Sequence, residues 1–510
     1  MSEIRRPPLP FDPTGITLDR SRGLSRQLYQ ALRIRVLDGR LGSGTRLPAT
    51  RELAAMLALS RNSVVRAYDQ LYAEGYIESR VGDGTYVSQL PKLSTQLSTG
   101  LSQCLSTGLS TKSTSDTDDL SSSGTSNGPL QRLKNHHLVP PPEGAPKAFR
   151  LGLPAFDLFP FGVWAKLQAG FWRNPDPAKL GYGNPAGERE LRELIAAYLR
   201  SSRGLVCTAE QIVITSGAQQ AISLCAQLLL QPGEAVAVEN PGYRAAGHAF
   251  ALAGARLYGV AVDEEGVACD QLEQWPACRL AYVTPAHQYP TGVTMSLARR
   301  LQLLAWAERN QGWIIEDDYD GEYRYSGAPL APLAALDTQG RVLYVGTFGK
   351  IAFPALRMGY LVLPPPLAQA FGQAKALAVR HSEVSSQCVM AQFMAQGHFQ
   401  RHVRRMRKAA LSRRNMLKAG WPVDIPGLAA MPDVSAGLHV KVDVDNFARE
   451  QALVAKARSA GVEVTPLSNF WLGDSTVPVD KRAGLVLGFA AVPEGEIADA
   501  LMRLRRAWRA

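Results

Sequence analysis

Residues 44–87 decide the fold of the N-terminal part of the chain, and they read GTRLPATRELAAMLALSRNSVVRAYDQLYAEGYIESRVGDGTYV. The first half has the apolar spacing of a short helix, and Ser60 is a suitable N-cap for a second helix that ends near Gly75. After Gly75 the pattern indicates two short strands around a glycine-rich turn. Helix, turn, helix and hairpin in this order predict a winged helix-turn-helix.

The second helix of this unit has two chemically different faces. Val64, Tyr68 and Leu71 fall on one side, so Asn62 and Arg66 must point to the other. Such a face suits a DNA groove, although the same arginines could simply be solvated. We assign DNA contacts to seven residues: Arg51, Arg61, Asn62, Ser63, Arg66, Gly82 and Gly84.

The composition of the 510 residues is that of an ordinary globular protein, with 46% hydrophobic and 20% charged residues. The net charge of +11 permits phosphate-rich partners, and the first 90 residues carry 13 Arg but no Lys. Six cysteines without a C-x-x-C pair indicate neither a zinc site nor a disulfide framework. Because we find no signal peptide and no apolar run that could span a bilayer, we expect a soluble cytoplasmic protein.

A change in composition near residue 89 separates two parts of the chain. The segment that begins at Leu93 repeats Leu-Ser-Thr-Gly units, which are too polar and too small to form a core. We therefore predict a winged-helix domain at 1–88, a flexible linker at 89–148 and a large second domain at 149–510. A weak amphipathic helix in the linker is the alternative, and its Ser, Thr and Gly content disfavours it.

The large second part alternates strand-like and helical runs, which predicts an α/β domain with a mainly parallel sheet. Ligands of such sheets gather at the carboxyl ends of the strands. The strand-like runs are 212–215, 235–239, 280–284, 313–316, 342–346 and 358–363.

The loop GTFGK at 346–350 follows one of these runs, and Arg357 comes seven residues after its lysine. Lys350 can condense with an aldehyde carbonyl while Thr347 and Arg357 hold a phosphate. This combination predicts pyridoxal 5'-phosphate (PLP) as the cofactor and Lys350 as the catalytic residue. Tyr243, after another run, could stack on the cofactor ring or merely pack. A surface lysine in a glycine-rich loop is the common alternative for Lys350.

Other loops supply further groups for this cofactor. Asp317 ends a strand and is assigned to the pyridinium nitrogen, and Tyr319 is assigned to the phenolic oxygen. The strand-to-helix turn at Gly217 and Ala218 offers backbone N–H groups to the phosphate. A hard cation held by the acidic run 316–320 is the rival interpretation, and no EF-hand spacing supports it.

Two known families resemble the two parts of the chain. RELA at 51–54, EGY at 74–76 and GDGT at 82–85 resemble the winged-helix domain of GntR-type transcription regulators. From about 151 to 508, including GYGNPAG at 181–187 and PTG at 290–292, the chain resembles fold-type I PLP enzymes of the aminotransferase class. In those enzymes the tyrosine of the first motif reaches the phosphate across a dimer interface. The resemblance thus implies a homodimer and implies this role for Tyr182.

The combination of a GntR-like winged helix, a long linker and an aminotransferase-like domain resembles the MocR subfamily of regulators. The strings EDDYDGEYRY at 316–325 and TPAHQYPTGVTMS at 284–296 are similar to that subfamily as well. The implied fold is multidomain, with a winged helix-turn-helix (α+β) and a large α/β fold-type I PLP-dependent domain. The implied function is a DNA-binding transcription regulator, in which an amine or PLP is sensed at Lys350 and changes binding to operator DNA.

Two departures from aminotransferases disfavour turnover of α-amino acids. Tyr289 stands where those enzymes carry an Asn that bonds the phenolic oxygen, and Val486 stands where they carry an Arg that clamps the substrate carboxylate. A working aminotransferase with a tethered DNA-binding domain is the alternative function, and a sensor of PLP itself is a third. Eight basic residues between 401 and 418 could form a second DNA patch or a solvated helix face, which is the usual role of such runs.

Overall fold

The computed structural model describes residues 16, 18–19, 23–80, 84–89, 132–133, 136, 142–275, 277–325, 330–473, 477–478 and 482–510. The predicted linker at 89–148 therefore lies mostly outside the described residues, and so does Gly82. Among the described helices, none combines the length and the apolar character needed to cross a bilayer.

The N-terminal domain is the predicted winged helix-turn-helix. Its elements are α1 (Leu24–Leu37), β1 (Arg46–Leu47), α2 (Thr50–Met56), α3 (Arg61–Ala73), β2 (Ile77–Arg80) and β3 (Gly84–Val87). The three strands form an antiparallel sheet in the order β1-β3-β2. The Ser60 hydroxyl accepts a hydrogen bond from the Ser63 N–H at 3.1 Å and caps α3, as predicted. Leu28, Val64 and Leu71 are fully buried in the core between the helices.

The large domain is built on one eight-stranded sheet. Its strands are β4 (Ile212–Thr215), β5 (Ala235–Asn240), β6 (Arg256–Asp263), β7 (Gly266–Val267), β8 (Cys278–Val283), β9 (Trp313–Asp318), β10 (Val342–Thr347) and β11 (Gly359–Val362). Their order is β4-β11-β10-β9-β8-β5-β6-β7. The neighbouring strands β10, β9, β8, β5 and β6 run parallel to one another. Strand β11 lies between β10 and β4 and runs antiparallel to both. Each of the six predicted runs overlaps a strand, whereas β6 and β7 were not expected.

Helices cover this sheet and lead into a small C-terminal sheet. The helices are α4 (Phe161–Arg173), α5 (Arg189–Ser202), α6 (Ala218–Leu229), α7 (Arg244–Leu252), α8 (Leu297–Arg309), α9 (Pro365–Val379), α10 (Val384–Ala395), α11 (His398–Gly420), α12 (Phe447–Ser459) and α13 (Glu494–Arg509). The small sheet has the order β12 (His439–Asp443), β14 (Gly484–Gly488) and β13 (Thr465–Pro466), and its strands are antiparallel.

The winged-helix domain rests against the large domain. The Arg33 guanidinium donates a hydrogen bond to the Ala335 carbonyl oxygen at 2.9 Å, and Arg26 donates one to the Arg200 carbonyl oxygen at 2.7 Å. Buried apolar side chains of both domains form one continuous cluster. An open cleft of about 630 Å³ remains between them, lined by residues of α1, α3 and the end of α5.

Replacement of the α3 cap offers a test of the DNA-binding domain. Ser60→Ala should lower the stability of α3 by about 1 kcal/mol, because a backbone N–H loses its partner. Hydrogen-exchange mass spectrometry of peptides covering 60–73 should then show exchange that is roughly fivefold faster. Ser79→Ala, on an exposed position of β2, is the matched control. Unchanged exchange in Ser60→Ala would contradict the capping role.

Candidate cofactor site and DNA interface

A cavity opens at the carboxyl ends of the central strands of the large sheet, as expected for a parallel arrangement. Eight of the nine residues predicted to hold the cofactor line this cavity: Lys350, Asp317, Tyr319, Tyr243, Gly217, Ala218, Thr347 and Arg357. The ninth, Tyr182, does not. The fold therefore brings together predicted residues that are up to 140 positions apart in the sequence.

Lys350 lies in the loop that follows β10. Its amine donates a hydrogen bond to the Gly152 carbonyl oxygen at 2.8 Å. Burial lowers the pKa of the Lys350 amine, and the negative charges of Asp320 and Asp317 oppose this shift. A larger fraction of this amine is uncharged at neutral pH than for an exposed lysine, and the uncharged amine is the form that attacks a carbonyl.

Asp317 lies near the end of β9 and is only 4% exposed. Its Oδ2 atom accepts a hydrogen bond from the Tyr282 hydroxyl at 2.7 Å, whereas the buried Oδ1 atom has no partner among the residues that the structure describes. Burial raises the pKa of Asp317 to about 7, although the Tyr282 hydrogen bond and the Lys350 charge work against it. A buried oxygen without a donor fits the ring nitrogen of PLP as the missing partner.

The opposite end of the cavity has the features of a phosphate site. Gly217 is the N-cap of α6 and has a φ of +85°, and an added Cβ there would lie 3.3 Å from the Arg357 guanidinium. Arg357 donates a hydrogen bond to the Ser216 carbonyl oxygen at 2.7 Å, and the Thr347 hydroxyl accepts one from the Gly349 N–H at 3.0 Å. A helix N-terminus, an arginine and a hydroxyl together fit a phosphate group.

Aromatic rings form much of the remaining wall. The Tyr243 and Tyr289 rings meet edge to face with centroids 5.9 Å apart, and the Tyr289 and His439 centroids are 5.3 Å apart. The Tyr319 hydroxyl donates to the His287 carbonyl oxygen at 2.9 Å, so a bond from it to the cofactor's phenolic oxygen requires a change of partner. Sequence reasoning missed His439, because this residue reaches the cavity from β12 and belongs to no local motif.

The acidic run 316–320 does not converge on one point, because successive residues of a strand point to opposite sides. Donor atoms of His287, Asp320 and His439 do lie within 4.8 Å of one another. However, His287 pairs with Asp320 at 2.9 Å, and His439 Nε2 donates to the Pro290 carbonyl oxygen at 3.1 Å. These hydrogen bonds favour a polar cluster over a metal site.

Tyr182 lies on the surface, away from the cavity. Its side chain is 90% exposed, and its ring centroid is 6.2 Å from that of His381. Phe161, Trp172 and Leu180, which precede it in the sequence, are also more than half exposed. Exposed large apolar side chains of this kind are typical of surfaces that pack against another molecule.

Five of the seven predicted DNA contacts lie on α2 and α3. Four of them are exposed side chains: Arg51, Arg61, Asn62 and Arg66. Ser63 is half-buried beside the Ser60 cap, and Gly84 begins β3 with a φ of +127°. Arg66 also lines the cleft toward the large domain, a position that the helical pattern did not predict.

The basic run 401–418 on α11 is largely engaged within the large domain. Arg407 donates a hydrogen bond to the Glu322 carbonyl oxygen at 2.8 Å, and Arg413 forms an ion pair with Asp157 at 2.6 Å. These contacts favour the helix-face interpretation of this run over a second DNA patch.

Comparisons with known proteins agree with both halves of this description. Residues 24–87 match the family described as bacterial regulatory proteins, gntR family, and residues 158–504 match aminotransferase class I and II. The chain is 34% identical to the probable rhizopine catabolism regulatory protein MocR of Rhizobium meliloti, over 96% of this chain and 94% of that protein. It is 30% identical to the HTH-type pyridoxine biosynthesis transcriptional regulator PdxR of Corynebacterium glutamicum, over 96% of this chain and 97% of that protein.

A solved aminotransferase has the same fold as the large domain. The structure of Pyrococcus horikoshii kynurenine aminotransferase in complex with PMP superposes with a TM-score of 0.63 at 29% identity, covering 70% of this chain and 89% of that one. The protein thus joins a GntR-type DNA-binding domain to a fold-type I aminotransferase-like domain whose cofactor is PLP. It belongs to the MocR subfamily of GntR-type transcription regulators.

Gly217→Ala tests the phosphate end of the cavity. The new methyl group would crowd Arg357 and would place alanine at a φ of +85°, so PLP affinity should fall about tenfold. Titration of the apo protein with PLP, followed by absorbance, measures this change. Gly372→Ala is the control, because an added Cβ at this helical position meets nothing within 4 Å. Wild-type affinity in Gly217→Ala would place the phosphate elsewhere.

The lowered pKa of Lys350 predicts how its reaction with PLP depends on pH. Modification of Lys350 by PLP and borohydride should persist to lower pH than modification of the exposed Lys408. The reason is that burial lowers the pKa of the Lys350 amine and so keeps more of it uncharged. Borohydride trapping at a series of pH values, with peptide mass mapping, measures both lysines in one sample. The same pH dependence for both would contradict the effect of burial.

Proposed function

We propose that this regulator adjusts its affinity for operator DNA according to what occupies the Lys350 cavity. The observation that carries the proposal is the presence in one cavity of an amine, Lys350, whose pKa is lowered by burial, and of a buried carboxylate, Asp317, whose Oδ1 atom has no partner among the described residues. Both groups lie in a domain that is in contact with a winged helix-turn-helix. Such an arrangement gives one chain a cofactor site and a DNA-binding surface whose states can be linked.

The roles of the cavity residues follow from their positions. PLP supplies an electrophilic carbonyl and an electron-withdrawing ring. We assign Lys350 to the carbonyl carbon, Asp317 to the ring nitrogen and Tyr243 to the ring face. The turn at Gly217 and Ala218 holds the phosphate, with further contacts from a second group of residues: Thr347, Arg357 and, across a subunit interface, Tyr182.

The effector is a primary amine or PLP itself. Of the described residues that line the cavity, the cationic ones are Lys350 and Arg357, and the proposal assigns both to the cofactor. Val486 is fully buried in β14 and supplies no charge for a carboxylate. The relatives named for rhizopine catabolism and for pyridoxine biosynthesis support these two effector classes.

The DNA-contacting surface consists of α2, α3 and the β2–β3 hairpin. We place Arg51, Arg61, Asn62 and Arg66 at phosphates or base edges, where guanidinium and amide groups make their usual contacts. We assign Ser63, Gly82 and Gly84 to close approach of the backbone to DNA, and Gly82 lies outside the described residues.

We further propose a homodimer that acts in the cytoplasm, where operator DNA is found. The exposed side chains between Phe161 and Tyr182 support a subunit interface in this region. Such an interface would bring Tyr182 of one protomer toward the cavity of its partner.

A reciprocal titration tests the proposed coupling. Operator recovered by selection from random DNA should bind with different affinity when PLP or an amine is present, and operator should change effector affinity by the same factor. Lys350→Ala should keep operator binding and lose the response. Equal effector affinity with and without operator would refute the coupling.

Arginine substitutions test the DNA surface. Arg51→Ala or Arg61→Ala should weaken operator binding and reduce the slope of log K against log salt by about 1, because a phosphate contact is lost. PLP absorbance should stay unchanged. Arg404→Ala, exposed on α11, is the control and should bind operator normally. Normal binding by both test variants would place the DNA-contacting face elsewhere.

An active aminotransferase is the second candidate function. The similarity of the large domain to a solved aminotransferase favours it. Steady turnover of an amine and a keto acid, abolished in Lys350→Ala, would support this alternative, whereas a single half-reaction without turnover would exclude it.

A further inference from the structure

Two segments of the large domain, 198–204 and 331–335, contact the winged-helix domain through the Arg26 and Arg33 hydrogen bonds described above. Arg203, in the first segment, also lines the interdomain cleft. We call these two segments the docking surface. Neither segment lines the cofactor cavity, yet both segments are held by the same strand.

Buried carboxylates of β9 hold both segments. Asp318 forms an ion pair with Arg203, and the two side chains are only 3% and 6% exposed. Glu316 accepts backbone hydrogen bonds from the Leu333 and Ala334 N–H groups at 2.8 and 2.9 Å. Ala334, which donates the second of these bonds, immediately precedes Ala335, whose carbonyl oxygen accepts the Arg33 hydrogen bond.

Asp317 lies between these two carboxylates and lines the cofactor cavity. Because side chains alternate along a strand, Asp317 points to one side and its two neighbours point to the other. Burial raises the pKa of Glu316 and of Asp317 to about 7 each, and the charge of Asp318 adds to both shifts. A positive group bound against Asp317 therefore lies one residue along the strand from each of the two anchoring carboxylates.

We propose that β9 couples the cofactor cavity to the docking surface, with the Asp318–Arg203 pair and the turn held by Glu316 as positioning contacts. This inference rests on the proposed function, because it names the element that carries the coupling. The winged-helix domain has two states, docked on this surface or released from it. A group bound at Asp317 shifts that equilibrium because it interacts differently with the two positions of the strand.

The experiment replaces the ion pair as a unit, because removal of Arg203 alone would leave a buried unpaired charge. The double variant Arg203→Met with Asp318→Asn should bind PLP as the wild type does. The measured quantity is the ratio of operator dissociation constants with and without PLP. This ratio, about 5- to 150-fold for typical coupling, should fall to within about twofold of unity.

Two single variants complete the design. Arg33→Gln alters the contact from the winged-helix side and leaves the interior of the large domain intact, and it should also reduce the ratio. Arg192→Met is the matched control, because Arg192 is as buried as Arg203 but bonds to the Gly187 and Ala209 carbonyl oxygens. It should keep the wild-type ratio.

The outcomes separate this inference from the proposed function. Loss of the ratio in the double variant and in Arg33→Gln, with a wild-type ratio in Arg192→Met, supports the inference. An unchanged ratio in the double variant and in Arg33→Gln overturns it and leaves the proposed function standing. Wild-type protein whose operator affinity does not respond to PLP or to amines overturns the proposed function itself.

Discussion

Burial of three adjacent carboxylates in a central strand is the constraint on which the rest of the structure depends. A carboxylate in the interior is costly unless it has hydrogen-bond donors or takes up a proton. Glu316 has backbone donors and Asp318 has Arg203, so these two residues fix segments of the large domain. Among the described residues, the Oδ1 atoms of Asp317 and of Asp318 have no hydrogen-bond donor. Of the three carboxylates, Asp317 is the one that lines the cofactor cavity, so a ligand can reach its free oxygen.

The cavity also suppresses the charge of its two reactive groups. Burial lowers the pKa of Lys350 and raises the pKa of Asp317, so both groups carry less charge at neutral pH than they would in water. Arg357 supplies a guanidinium group at the other end of the cavity. A molecule that carries a proton-accepting ring nitrogen at one end and a phosphate at the other complements this distribution of charge. The same distribution offers little to a ligand whose main feature is a carboxylate.

The sequence predicted those features that local patterns determine. The run 212–215 is β4 to the residue, because a fully buried strand is a continuous apolar run. The strand β6 was missed, because it is mostly half-buried and lacks that signal. Long-range contacts were beyond prediction: His439 reaches the cavity from another sheet, and Arg66 lines a cleft formed with the large domain. The role of Tyr182 depends on a second subunit and stays a prediction.

The reversed direction of β11 has a geometric consequence for the ligand. The register places Thr215, Gly359 and Thr347 side by side on β4, β11 and β10. Because β11 is antiparallel to both neighbours, β4 and β10 end at the same edge, two inter-strand spacings or about 10 Å apart. Backbone hydrogen bonds, not side chains, therefore set the separation between the helix that follows β4 and the loop that follows β10. Substitutions in the pocket can change which chemical groups are accepted, but the span between these two ends stays constant.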